Sequence, residues 1–158
     1  MTILPPPQVT PCLAQTPEER KCEADRISLM FGSIAHRYDL LNHLLSFGVD
    51  FYWRRKVARE LRNVLAQPQC KILDLCAGTG DLSLTLKKKT TGNVLAADFC
   101  HPMLRIARKK FLRANLAIPA IEADALELPF ASKSFDMVTL AFGLRNLLNH
   151  KLALFEIR

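Results

Sequence analysis

Several things are scarce in this sequence, and each absence narrows the reading. No apolar run approaches the roughly 18–20 residues needed to cross a bilayer, so no transmembrane anchor is expected. The opening MTILPPPQVTP has neither the basic start nor the continuous apolar core of a secretory signal. Five cysteines, at 12, 22, 70, 76 and 100, form an odd set without a CxxC pair. Free thiols in a reducing, cytoplasmic compartment are therefore expected, not a disulfide framework. There is no internal repeat. What remains is ordinary: 49% apolar and 23% charged residues in 158 positions fit one soluble globular domain and exclude a disordered or fibrous chain.

Charge is the first positive feature. The balance of 22 Lys+Arg against 15 Asp+Glu gives +7, and ten of the basic residues fall in the stretches 54–62 and 105–113. Those stretches together hold a single acid, Glu60. Such patches suit nucleic acid, anionic lipid or an acidic partner. They equally suit the solvated faces of two helices.

Hydrophobic spacing organises the rest. Residues 1–25 are proline-rich with little apolar periodicity, and are expected to be a flexible leader. Residues 26–67 are expected to form an amino-terminal helical part. Its first helix has Ile34, Tyr38, Leu41 and Leu45 on one face and Asp39, Asn42 and Ser46 on another, and Phe47-Gly48 ends it. Its second begins near Asp50, with Trp53, Val57, Leu61 and Val64 as the apolar stripe and the basic residues opposite, and closes at Pro68. From residue 68 the period changes. Strands are expected at 71–76, 93–98, 118–122 and 135–142, with helices following each of the first two and another over 147–158. Pro102 suits a first helical turn, with Leu104, Ala107 and Phe111 beneath it. Asp81 is placed to cap the helix that runs to about Lys88. Alternating strands and helices imply an α/β, doubly wound, mostly parallel sheet.

In such a sheet the ligand lies beyond the carboxyl ends of the strands. There the first strand carries Asp74-Leu75-Cys76-Ala77-Gly78-Thr79-Gly80-Asp81, where glycines let a ligand approach the backbone. The dinucleotide fingerprint demands a third glycine, and position 83 is serine. S-adenosylmethionine (SAM) has no pyrophosphate to seat and does not need it. Asp98, 18 residues after Gly80, ends the second strand, where a carboxylate can bind a ribose diol. Asp124-Ala125 follows the third, where an acid and an amide can read an adenine edge. Each acid also has a bland role, Asp98 as a helix cap and Asp124 as a turn residue. Three sites at the tips of consecutive strands point to a nucleoside cofactor.

At this point the chain resembles the ubiquinone/menaquinone biosynthesis C-methyltransferases, a family of class I SAM-dependent enzymes. The likeness runs from about Met30 to Arg158. Its most specific segments are Tyr38-Asp39-Leu40-Leu41-Asn42, Leu45-Ser46-Phe47-Gly48 and Trp53-Arg54-Arg55, then Phe142-Gly143-Leu144-Arg145-Asn146. The resemblance implies a Rossmann-like methyltransferase sheet, with 26–67 as a lid and substrate part and 68–158 as the cofactor core. Thr79, Asp98, Asp124 and Ala125 fall where the family contacts SAM, beside Asp74, Gly78 and Gly80 of the glycine loop. Ala141 stands where many relatives have serine, Leu41 replaces a usual methionine, and Asp50 replaces a common histidine.

Family membership implies methyl transfer to a ring carbon of a reduced polyprenyl quinone, a demethylmenaquinol or a polyprenyl benzoquinol. On that reading Arg145 is the partner for a developing phenolate and Asn146 an orienter. Tyr38, Asp39 and Asn42 belong to the lid, with Asp39 and Tyr38 as proton acceptors by type. Tyr38 equally fits simple packing, Trp53 fits core, and Arg145 fits a structural ion pair. His36 and His43 lie about 10 Å apart along a helix, too far to share a metal, and no metal site is expected. A nucleic-acid methyltransferase would ordinarily place N/D-P-P-Y/F after the fourth strand, where this chain reads Ala141-Phe142-Gly143-Leu144-Arg145. Another small-molecule methyltransferase and an inactive SAM-binding fragment remain as alternatives. The expected partners are a lipid quinol and, through the basic patches, peripheral contact with the inner membrane surface; nucleic acid is not expected. Only four of the family's seven strands are visible, so a carboxy-terminally incomplete domain is expected, its fourth strand an unpaired edge.

Overall fold

The computed structural model describes residues 26–35, 38, 49–147 and 149–158. The proposed leader, Asp39 and residues 41–48 lie outside them. Residues 26–35 are helical (α1). There follow α2 (Val49–Glu60), α3 (Arg62–Leu65), β1 (Lys71–Leu75), α4 (Asp81–Lys87), β2 (Asn93–Asp98), α5 (His101–Arg113), β3 (Ala120–Glu122), β4 (Met137–Leu140) and α6 (His150–Ile157).

The four strands pair in the order β3-β2-β1-β4, all parallel. Leu73 of β1 faces Leu95 on one side and Val138 on the other. The chain thus winds outward from β1 to β3 and then returns to the far side of β1. That reversal opens a crevice at the carboxyl ends of the central strands.

Side chains alternate across β1 and so divide the core in two. Ile72 faces Leu82 and Leu86 of α4 and Ala107 and Phe111 of α5, with Ala58 and Leu65 closing that layer. Leu73 and Leu75 face the opposite layer, which contains Phe130, Phe135 and Ile157.

β2 has the expected bounds, while the other boundaries shift for local reasons. β3 starts at Ala120 because Pro119 has no N–H to donate, although its carbonyl still accepts from Ala96 N at 2.9 Å. Before β4, the Asp136 carboxylate accepts Lys71 N at 2.7 Å, so a side chain takes a ladder position. Phe142, at φ +62°, turns the chain out of the strand. A 3-10 turn (Leu144–Asn146) then precedes α6, whose first turn is capped by Asn149 accepting Leu152 N at 3.0 Å.

Two expectations are corrected. Asp81 does not cap α4: the N-cap is Gly80, at φ +80°, and Asp81 is the first helical residue. The stripe of α2 is also rotated. Trp53 is 48% exposed, with Tyr52 at its edge and the Lys56 ammonium 5.2 Å from its ring centre. Val57 and Leu61 keep their expected inward places, and Arg54 and Ala58 join them where Trp53 was expected. An arginine can occupy that face because Asp81 awaits it, as described below.

Candidate functional site

A cavity of about 370 Å³ lies over the carboxyl ends of the strands. Its floor is the turn after β1. Ala77 N donates to Ala97 O at 3.0 Å and Gly80 N to Ala77 O at 2.9 Å, which closes the turn tightly. Gly78 has φ +56°, and a side chain there would project into open space, so its requirement is conformational and leaves the backbone bare to the cavity. Gly80 is different: a Cβ would fall 2.5 Å from the Phe111 ring.

Asp98 joins two strand tips. Its Oδ2 accepts Gly78 N at 2.7 Å and its Oδ1 accepts Cys100 N at 2.8 Å. Burial raises its pKa, and the two amide bonds oppose that rise. After β3, Asp124 Oδ1 accepts Leu126 N at 2.9 Å, so Asp124 holds its own turn while also lining the cavity with Ala125. Asp124 keeps the turn role expected of it, whereas no side chain caps α5, so Asp98 ties down the residue before the helix without capping it.

The other walls come from the loop after β4 and from α1. Ala141, Gly143 and Asn146 contribute from the loop. Gly143 approaches so closely that a Cβ would lie 2.3 Å from Cys76 Cβ. Ile27, Phe31 and Tyr38 cover the cavity from the amino-terminal side, with Phe31 and Tyr38 edge to face at 6.1 Å. Phe99 and Met103 add apolar surface.

The expected site residues therefore separate. Tyr38, Gly78, Asp98, Asp124, Ala125 and Asn146 line one cavity. Asp74 lies beneath it, fully buried, held by Ser83 Oγ at 2.5 Å and Thr139 Oγ1 at 2.9 Å. Burial pushes its pKa up to about 6, against the pull of those bonds. The Thr79 hydroxyl is buried and accepts Lys110 Nζ at 3.1 Å. Arg145 is exposed beside Leu144 and His150, outside the main cavity.

Sequence reasoning passed over Ile27, Phe31, Phe99 and Met103. Phe99 carried a signal, since the residue after a strand-ending acid in this fold borders the ligand crevice; α1 carried none, because its docking against Cys100 and Met103 is tertiary.

Cys76 also lines the cavity. Burial, reinforced by Asp98, Asp74 and Asp124, pushes its thiol up to about 12. It stays protonated at neutral pH and is a poor nucleophile. Among the described residues no group of three or more His, Cys, Asp or Glu could hold a metal ion.

These residues fit a nucleoside with a polar and an apolar end. A carboxylate offers about four lone-pair sites, and the two backbone amides at Asp98 take only two, leaving capacity for a diol. Asp124 with the adjacent backbone suits a heterocycle edge, and the bare Gly78 admits the remainder.

The chain is similar to known proteins both in sequence and in fold. The model of the ubiE/COQ5 methyltransferase family matches residues 19–158. The demethylmenaquinone methyltransferase of Thermus thermophilus is 51% identical over 129 residues, covering 81% of this chain and 57% of that protein. The ubiquinone/menaquinone biosynthesis C-methyltransferase UbiE of Burkholderia multivorans is 38% identical, covering 89% of this chain and 57% of that protein. The chain thus spans less than two thirds of the length of these relatives. In fold it resembles a putative S-adenosyl-L-methionine-dependent methyltransferase from Methanococcus maripaludis, with TM-score 0.69, 23% identity, and coverage of 80% of this chain and 57% of that one.

Proposed function

The chain belongs to the ubiE/COQ5 methyltransferase family, and from that premise we propose that its cavity serves SAM-dependent C-methylation of a polyprenyl quinol ring, of the demethylmenaquinol or benzoquinol type. The observation that carries this reading is the convergence of Gly78, Asp98 and Asp124, from the tips of three adjacent strands, on one cavity. SAM, when bound, supplies an electrophilic methyl group on a sulfonium.

The residues of this chain have three tasks. Asp98 and the Asp124-Ala125 segment bind and orient the nucleoside, so that the two reactants meet in one geometry. Phe31, Phe99 and Met103 exclude water and accept an apolar acceptor. Tyr38 and Asn146 face the acceptor and orient its hydroxyl; a quinol that has lost that proton is nucleophilic at the adjacent ring carbon. Arg145, exposed outside the main cavity, and Asp39, outside the described residues, enter as phenolate partner and proton acceptor on the family resemblance, not on their placement.

A lipid acceptor requires a visit to a bilayer. No helix among the described residues is long and apolar enough to cross one. Exposed Arg55, Lys56, Arg105 and Lys109 are suited to an anionic surface, at about 1 kcal/mol each. Reversing these four charges should abolish co-sedimentation with anionic vesicles; unchanged binding would count against that contact.

The central test is transfer of labelled methyl from SAM to a demethylated lipid quinol. Label in the ring is expected. A folded, SAM-binding protein that leaves the quinol unlabelled overturns the reading.

A further inference from the structure

Two basic residues from the supposed surface patches turn inward and meet at Asp81. Lys110 Nζ of α5 lies 2.6 Å from Asp81 Oδ1, and Arg54 Nη2 of α2 lies 3.4 Å from Oδ2. All three side chains are at least about four-fifths buried, with 20%, 12% and 21% exposure for Lys110, Arg54 and Asp81. Lys110 Nζ also donates to Thr79 Oγ1 at 3.1 Å. Two helices, α2 and α5, are thereby tied to the segment that opens α4, directly after the turn that floors the cavity.

Thr79 sits between Gly78 and Gly80, both at positive φ. Two glycines separated by one residue make a turn with large conformational freedom in the absence of tethers. Asp98 holds the turn from the cavity side through Gly78 N, and Lys110 holds it from the outer side through Thr79 and Asp81. A turn held on both sides presents its bare backbone in one geometry before any ligand arrives, which removes an ordering cost from binding.

We propose that Lys110 is a positioning residue for the cofactor turn: it touches no ligand, and it sets SAM affinity by fixing Thr79 and Asp81. The proposal rests on the SAM-binding reading of the cavity. It also gives the Thr79 hydroxyl a defined task, as the acceptor through which the turn is anchored. Arg54 extends the same anchor to α2, so the amino-terminal helices and the cofactor turn share one carboxylate.

The test is calorimetric titration of the full chain with SAM, alongside amide hydrogen exchange over residues 77–81 and a thermal melt. Lys110→Met should weaken SAM binding about tenfold at a temperature where the variant is fully folded. Exchange at Thr79 and Gly80 should quicken in the same variant. Lys110→Arg, whose forked donors can span both acceptors, should restore affinity to within about twofold of wild type. A folded Lys110→Met with unchanged affinity and unchanged exchange overturns the proposal, even with a lowered melting temperature, because a merely structural ion pair would behave that way. Should Lys110→Met not fold, Lys110→Gln is judged by the same two readouts. A wild-type chain that folds but does not bind SAM overturns the site reading itself, a failure distinguishable from that of the Lys110 role.

Discussion

Asp98 at the tip of β2 accepts the backbone N–H of Gly78, 20 residues earlier, at 2.7 Å. This one bond draws the turn after β1 against the strand beside it and leaves the carboxylate at the cavity wall. Asp98→Asn retains the shape but replaces one acceptor oxygen with a donor, so the side chain can no longer receive both amides. SAM affinity should fall by about tenfold or more, with a stability loss of about 1–2 kcal/mol. Calorimetry and denaturant melts measure the two effects separately, and unaltered affinity would remove Asp98 from the site.

The buried Asp74 makes stability depend on pH with a definite sign. Its pKa rises from 3.8 to about 6 on folding, so the folded state holds the proton more tightly than the unfolded state. Its contribution is fully present below pH 3.8 and is lost as the pH climbs to about 6. A rise of that size corresponds to about 3 kcal/mol. Asp74→Asn, which cannot ionise, should therefore gain stability relative to wild type between pH 4 and pH 6 and hold that advantage above. Urea midpoints across this range decide the matter; a constant difference would show that burial does not control the proton.

Gly143 packs where a Cβ would lie 2.3 Å from Cys76 Cβ, although its φ of −78° suits any residue. The obstacle is thus steric rather than conformational. Gly143→Ala should cost about 1–3 kcal/mol. Cys76→Gly should recover most of that loss in the double variant, since Cys76 itself has φ +55°, a backbone that glycine accepts without strain. Additive thermal melts for the pair would show that the two residues do not meet.

The rotation of α2 reverses an ordinary expectation about an aromatic and a cation. Trp53 is half exposed, and Trp53→Ala should cost less than about 1 kcal/mol, chiefly its contact with Lys56. Arg54 is mostly buried against Asp81, and Arg54→Ala should cost about 1–2 kcal/mol. The reverse ranking in thermal melts would restore Trp53 to the core.

Much of this arrangement was visible in the chain itself. β2 and the helix that begins around Pro102 follow from apolar period and proline placement, because those signals act within a few residues. The acids at the strand tips were visible for the same reason, since a strand's end and its ligand-facing residue are neighbours in sequence. The face of α2 was not. Its pattern offers Trp53 as readily as Arg54, and the choice rests on Asp81, 27 positions beyond Arg54. Arg145 and Asn146 are adjacent in sequence, yet the turn after Phe142 brings only Asn146 to the cavity.

The division has a physical basis. Local composition and spacing determined the parallel α/β order, the glycine turn and the acids at the ends of the second and third strands, since these depend on backbone sterics and short-range periodicity. Tertiary structure decided which side chains converge. Burial placed Asp74 under the cavity rather than at its wall, packing brought α1 over the cavity, and two distant cations reached one carboxylate behind the glycine turn. Pairings of that kind depend on how helices dock across a sheet, and no short window of sequence contains both partners.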